Sequence, residues 1–72
     1  MEVKVGQKYR HFKGKTVEIL NVATHSETLE GMIVYTCGSV VWVRPSAMFM
    51  ERVDKQKYPD VEQEYRFELI EE

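Results

Sequence analysis

Turn signals recur along the chain at intervals too short for ordinary helices: Lys13-Gly14-Lys15, Glu30-Gly31, Gly38-Ser39, Arg44-Pro45 and Tyr58-Pro59-Asp60. Glycine and proline at such spacing, with β-branched and aromatic residues between them, predict an all-β domain of short strands. The 72 residues have room for one domain, so residues 1–72 are taken as a single unit. A small half-closed barrel deals with exposed strand edges better than a flat sheet at this length. The expected fold is therefore mainly β, an SH3-like, partly open antiparallel barrel of five or six short strands with one short helical turn. A curved antiparallel sheet with a short helix on one face is the alternative.

The strongest local signal is Met32-Ile33-Val34-Tyr35-Thr36-Cys37, then Gly38-Ser39, then Val40-Val41-Trp42-Val43-Arg44. It predicts a hairpin with a two-residue II′ turn, Gly38 taking the positive φ of the first central position. The register then pairs Cys37 with Val40, Thr36 with Val41, Tyr35 with Trp42 and Val34 with Val43. Tyr35 opposite Trp42 is expected to be an aromatic cross-strand contact worth up to about 1 kcal/mol. Pro45 should end that strand at Arg44, and Ser46 to Phe49 reads as one helical turn, with Met48, Phe49 and Met50 plugging one end of the barrel.

Elsewhere the pattern is less regular. Gln7 to Phe12 alternates as a first strand with Tyr9 and His11 on one face. Thr16 to Thr24 is a second strand whose apolar phase slips from Val17 and Ile19 to Leu20 and Val22, which requires either a bulge or cover on both faces. Glu51-Arg52-Val53 can resume pairing, Asp54 to Gln63 is a polar loop around Pro59, and Glu64 to Ile70 forms the last strand.

Charge is unevenly spread. The net charge is −2, but residues 1–17 carry +4 and the remainder −6. The amino-terminal segment is the one basic stretch and can meet phosphates or an acidic partner, or lie solvated; the overall pI near 5.7 lacks the footprint of a strongly basic nucleic-acid binder. No apolar run approaches the roughly 18 residues of a membrane span. Met1 to Val5 has charges at positions 2 and 4 in place of the apolar stretch of a secretory signal, and Cys37 is the sole cysteine, so a cytoplasmic, disulfide-free protein is expected.

Few residues invite chemistry. His25-Ser26-Glu27-Thr28 gathers an imidazole, a hydroxyl and a carboxylate, but neighbours on a strand point to opposite sides, and short polar side chains commonly satisfy backbone groups in such a loop. Catalysis through His25 and Glu27 is the least favoured reading, and no catalytic residue is assigned. His11, His25 and Cys37 contain no closely spaced ligand pair, so no metal is expected, and the lack of a glycine-rich phosphate loop argues against a nucleotide cofactor. Trp42 and Arg44 share a strand face. Either Trp42 is core and Arg44 pairs with a carboxylate such as Glu27 or Glu30, or the two belong to a recognition surface. If Tyr9, His11, Tyr35, Trp42 and Arg44 converge, they form an aromatic, basic surface able to stack bases or hold a peptide.

Taken in order, Tyr9-Arg10-His11-Phe12-Lys13-Gly14, His25-Ser26-Glu27-Thr28, Val34-Tyr35, Trp42-Val43-Arg44-Pro45 and Met48-Phe49 resemble the signature blocks of the bacterial domain of unknown function 1653, over roughly Val5 to Phe67. The resemblance implies a small, mainly β, cytoplasmic protein and brings no active-site residues with it. The family usually has a longer, aromatic, glycine-containing connection before the tryptophan block; its shortness here fits a tight hairpin.

The leading expectation is a non-catalytic binding module presenting Arg10, His11, His25, Glu27, Trp42 and Arg44 to a nucleic acid or an acidic peptide. A homodimer formed through an exposed β edge or apolar patch is the second reading, and a small enzyme using His25 and Glu27 the third.

Overall fold

A computed structural model describes residues 3–70. Five antiparallel strands, β1 (Lys8–His11), β2 (Thr16–Thr24), β3 (Gly31–Cys37), β4 (Val40–Pro45) and β5 (Phe67–Leu69), form one sheet in the order β4-β3-β2-β1-β5, with a single helical turn, α1 (Ser46–Phe49), between β4 and β5. The fold is mainly β. The last strand returns to pair with the first, consistent with a small, partly open barrel; an isolated bridge between Arg52 and Tyr65 lies beside it.

The β3–β4 hairpin has the register its turn dictates, from Cys37 opposite Val40 through Tyr35 opposite Trp42 to Val34 opposite Val43. Gly38 takes φ 64°, whereas Ser39 does not have a positive φ, the combination a II′ turn requires. β4 runs one residue past Arg44, to Pro45 opposite Met32. The phase of the ladder permits it. In a two-residue hairpin the closing pair, Cys37 and Val40, exchanges both hydrogen bonds, so Val40, Trp42 and Arg44 turn their backbone polar groups to β3 while Val41, Val43 and position 45 turn theirs outward. Proline at position 45 therefore gives up an N–H that would face solvent.

In β2 the slipped phase is a bulge. Ile19 lies opposite Tyr35 and Asn21 opposite Val34, leaving Leu20 as the extra residue. The bulge returns Val22 to the side of Ile33. The alternative, cover on both faces, does not hold, because Leu20 and Val22 are about half-exposed.

Tyr9, Val17, Ile19, Ile33, Tyr35 and Phe67 bury their side chains on the inner side of the sheet, and α1 lowers Phe49 into their midst. Phe49 stacks on Phe67 with centroids 4.1 Å apart and planes 6° from parallel, and Tyr9 and Tyr35 meet it edge-on at 5.3 and 5.6 Å. The plug is thus Phe49, with Met50 packed against the cluster; Met48 lies outside the cluster and is about half-exposed. Tyr35 turns its ring to Phe49 and Phe67, so its expected ring contact with Trp42 is not among the aromatic pairs of the described residues.

The long connection between α1 and β5 is held by polar staples. Asp54 Oδ1 accepts the Gln56 N–H at 3.0 Å, Lys55 Nζ donates to the carbonyls of Val61 and Gln63, and Gln63 Nε2 donates to the Arg10 carbonyl at 2.9 Å.

Candidate functional site

His11 ends β1, where the chain turns through Phe12, Lys13 and Gly14 into β2. Its Nδ1 accepts the Lys13 N–H at 3.1 Å, and its carbonyl accepts the Gly14 N–H at 2.8 Å, so the imidazole organises this turn much as an aspartate side chain would. The ring stacks on Phe12 at 4.5 Å and meets Phe67 edge-on at 4.9 Å, while Phe12 contacts Tyr58 at 5.0 Å. Lys13 Nζ lies over both Phe12 and Tyr58, at 5.9 and 5.7 Å, and the Arg44 guanidinium lies over Phe67 at 5.8 Å.

Two adjoining hollows share this imidazole. One is bordered by His11, Lys13, Lys15, Tyr35, Cys37 and Trp42; the other brings Arg44, Arg66, Lys57 and Tyr58 to His11 and Lys13, with Asp54 among its lining residues. Burial, then the charges of Arg44, Lys13, Arg66 and Lys15, hold the His11 pKa below its ordinary 6.5. These causes are themselves a map of the site: four cations from three parts of the chain bear on one ring. Arg66 has a partner, its Nε lying 3.4 Å from Glu51 Oε2 without an aligned hydrogen bond. Among the described residues no carboxylate lies within ion-pair distance of Lys13, Lys15 or Arg44.

Trp42 is 50% exposed, which overturns a core position for it. β4 is the outer strand of the sheet, so its inward-facing side chains border the mouth of the barrel and are covered on one flank only. Among the described residues Arg44 likewise has none of the expected carboxylate partners.

The remaining predicted residues do not join the cluster. Arg10 projects from the other side of β1, pairs in register with Glu68, and lines a groove with Asp60, Glu62 and Glu64. Tyr9 is fully buried, its hydroxyl donating to Gln7 Oε1 at 3.1 Å. His25 and Glu27 lie beyond the far end of β2, with all nine residues of that strand between them and the His11 turn. There His25 Nδ1 accepts the backbone N–H groups of Glu27 and Thr28 at 3.1 and 3.3 Å, and Thr28 Oγ1 accepts the Glu30 N–H at 3.3 Å, shaping a loop in which Leu29 takes φ 63°. The His-Ser-Glu-Thr block is thus a loop-forming device. Its imidazole lone pair is occupied by main-chain donors rather than aimed at Ser26.

Lys13, Lys15, Phe12 and Tyr58 are the site residues that pattern reading did not single out individually. The available signal was the Lys-Gly-Lys turn directly after His11. Among the described residues no group of three His, Cys, Asp or Glu side chains gathers to hold a metal, and no helix is long and apolar enough to cross a membrane.

Neutral His11 is the form compatible with an Nδ1 that accepts a hydrogen bond. Because its native pKa lies below the unfolded value, the unfolded chain binds more protons between the two. The associated stability is fully present above about pH 6.5 and is lost as pH falls through the native pKa. In an NMR titration His11 should titrate below 6.5 as the Nε2–H tautomer, and Arg44→Gln should move it back towards the ordinary value. A His11 that titrates above 6.5 would contradict the cationic surroundings.

Fold and site together define a small β domain with a basic, aromatic mouth. The chain belongs to the family described as protein of unknown function (DUF1653), whose sequence model matches residues 7–69. No curated protein and no solved structure matches it.

Proposed function

We propose that the chain is a non-catalytic binding module that takes single-stranded nucleic acid at the mouth around His11. The observation that carries this reading is the convergence of Lys13, Lys15 and Arg44, without carboxylate partners among the described residues, beside a half-exposed Trp42. Phosphates need the cations; bases, which all have a π-face, need the indole. Part of the negative charge, Asp60, Glu62, Glu64 and Glu68, gathers in the groove of Arg10, which points to the other side of β1 from His11, although Phe12 borders both hollows. The same reading takes the sheet as an SH3-like barrel and the protein as cytoplasmic, where RNA is at hand. Arg10, His25 and Glu27 are left out of the contact surface.

Three phosphate contacts predict a log–log salt slope of about −2, so affinity for a short oligonucleotide should fall roughly 20-fold between about 50 and 200 mM salt. Titration with single-stranded DNA or RNA, followed through Trp42 fluorescence, tests this. Saturable quenching with that slope is expected. Absence of quenching at low salt overturns the reading, and quenching by a polyglutamate peptide but not by an oligonucleotide would redirect it to an acidic peptide.

A further inference from the structure

The two edges of the sheet are built differently. β5 is three residues long and carries Glu68, the short and charged form that discourages pairing with other chains. β4 is six residues long, and its run Val40-Val41-Trp42-Val43 has exposures of 47, 61, 50 and 60%. No lysine, bulge or internal proline interrupts that run. Its outward N–H and C=O groups, on Val41 and Val43, follow from the hairpin phase described above.

We propose that β4 pairs antiparallel with β4 of a second copy, about a two-fold axis at Trp42. The occupant is chosen by register. With Trp42 opposite Trp42, Val41 of each copy lies opposite Val43 of the other, and each valine both donates and accepts a main-chain hydrogen bond. Arg44 then lies opposite Val40, so no like charges face each other across the seam. Shifting the register to place Val43 opposite Val43 would set Pro45, which has no N–H, against Val41 and bring Arg44 opposite Trp42. The Trp42-centred register satisfies every outward group of the run with the same strand, as an isologous contact demands.

The scale of the interface sets its strength. Half-burial of one tryptophan and three valines covers on the order of 300 Å² per protomer, well below the roughly 800 Å² of a standard interface. The pair therefore rests largely on main-chain hydrogen bonds, as strand addition commonly does, and should be a concentration-dependent dimer rather than an obligate one. It does not rest on nucleic-acid binding, but it takes up part of the Trp42 surface that base stacking would use, so dimer formation and oligonucleotide binding should compete.

Sedimentation equilibrium from micromolar to millimolar protein, with amide exchange at both extremes, tests the proposal. A reversible monomer–dimer equilibrium is expected, with the Val41 and Val43 amides exchanging freely in dilute solution and protected in concentrated solution. Val43→Pro removes one outward N–H and leaves the groups paired with β3 untouched, so it should abolish the dimer while keeping the amide spectrum of a folded β domain. Val43→Lys, which keeps the N–H but adds a charge, should weaken it and serves if the proline variant does not fold. A monomer at every concentration, or a dimer indifferent to both variants, overturns the proposal. Oligonucleotide titration separates this outcome from the fate of the binding reading: the Val43 side chain alternates away from Trp42 and Arg44, so a folded, monomeric Val43→Pro should still bind if that reading holds.

Discussion

Phe49→Ala is expected to remove about 3–5 kcal/mol of stability, the usual range for truncating a buried aromatic. A chain of 72 residues has roughly 4–11 kcal/mol to lose, so the variant should forfeit from about a quarter to all of its stability and unfold at markedly lower denaturant. The size of the effect comes from position. Phe49 is 1% exposed and touches three aromatic rings, Tyr9, Tyr35 and Phe67, contributed by three different strands. Its loss opens a cavity in the centre of the core, and edge-to-face and stacked contacts worth about 0.5–1.5 kcal/mol each go with it. No disulfide compensates, since Cys37 is a free thiol. Met48→Ala, one residue away and 45% exposed, should change stability by less than about 0.5 kcal/mol. Urea denaturation of the two variants checks the contrast, and equal effects would mean that α1 does not seat its side chains as described.

Trp42→Ala should weaken oligonucleotide binding by about 1–3 kcal/mol, roughly 5- to 150-fold, and leave the salt slope unchanged. The double variant Lys13→Glu/Lys15→Glu should do the reverse in kind. Two of three phosphate contacts are lost, so the slope should flatten from about −2 to about −0.7 at comparable stability, because both side chains are exposed on the β1–β2 turn. The two signatures separate stacking from charge, and anisotropy titrations of a labelled oligonucleotide at several salt concentrations read both. A Trp42→Ala variant that binds as wild type would confine recognition to the cations.

Much of the fold was legible because local rules governed it. The β3–β4 register follows from one two-residue turn, and the helical turn after Pro45 from the break that proline imposes. The phase slip in β2 identified a bulge as one of two solutions, and only exposure of Leu20 and Val22 decided between them. What escaped was set by position in the sheet. Trp42 is apolar, β-branched on both sides and paired with a core tyrosine, so its own strand gives no sign that the neighbouring place is empty. Arg10, by contrast, was legible from the local rule: one residue from His11, it is sent by the alternation of β1 to the other face and the acidic groove. His25 illustrates a different difficulty. A histidine beside serine and glutamate has the composition of a catalytic group, but an imidazole can also accept main-chain N–H groups two and three residues on, and nothing in the residue types distinguishes the two uses. His11 uses the same turn device, and differs in what surrounds it: rings on two sides and cations brought by β4, the long loop and the β1–β2 turn.

The most direct test of the basic mouth as the binding surface is an amide and indole chemical-shift map recorded during titration with a short single-stranded oligonucleotide at low salt. Shifts concentrated at His11, Lys13, Lys15, Arg44 and the Trp42 indole, with the His25 loop and the Arg10–Glu68 groove unmoved, are the predicted result. Shifts confined to that groove or that loop, or none at all, would contradict it.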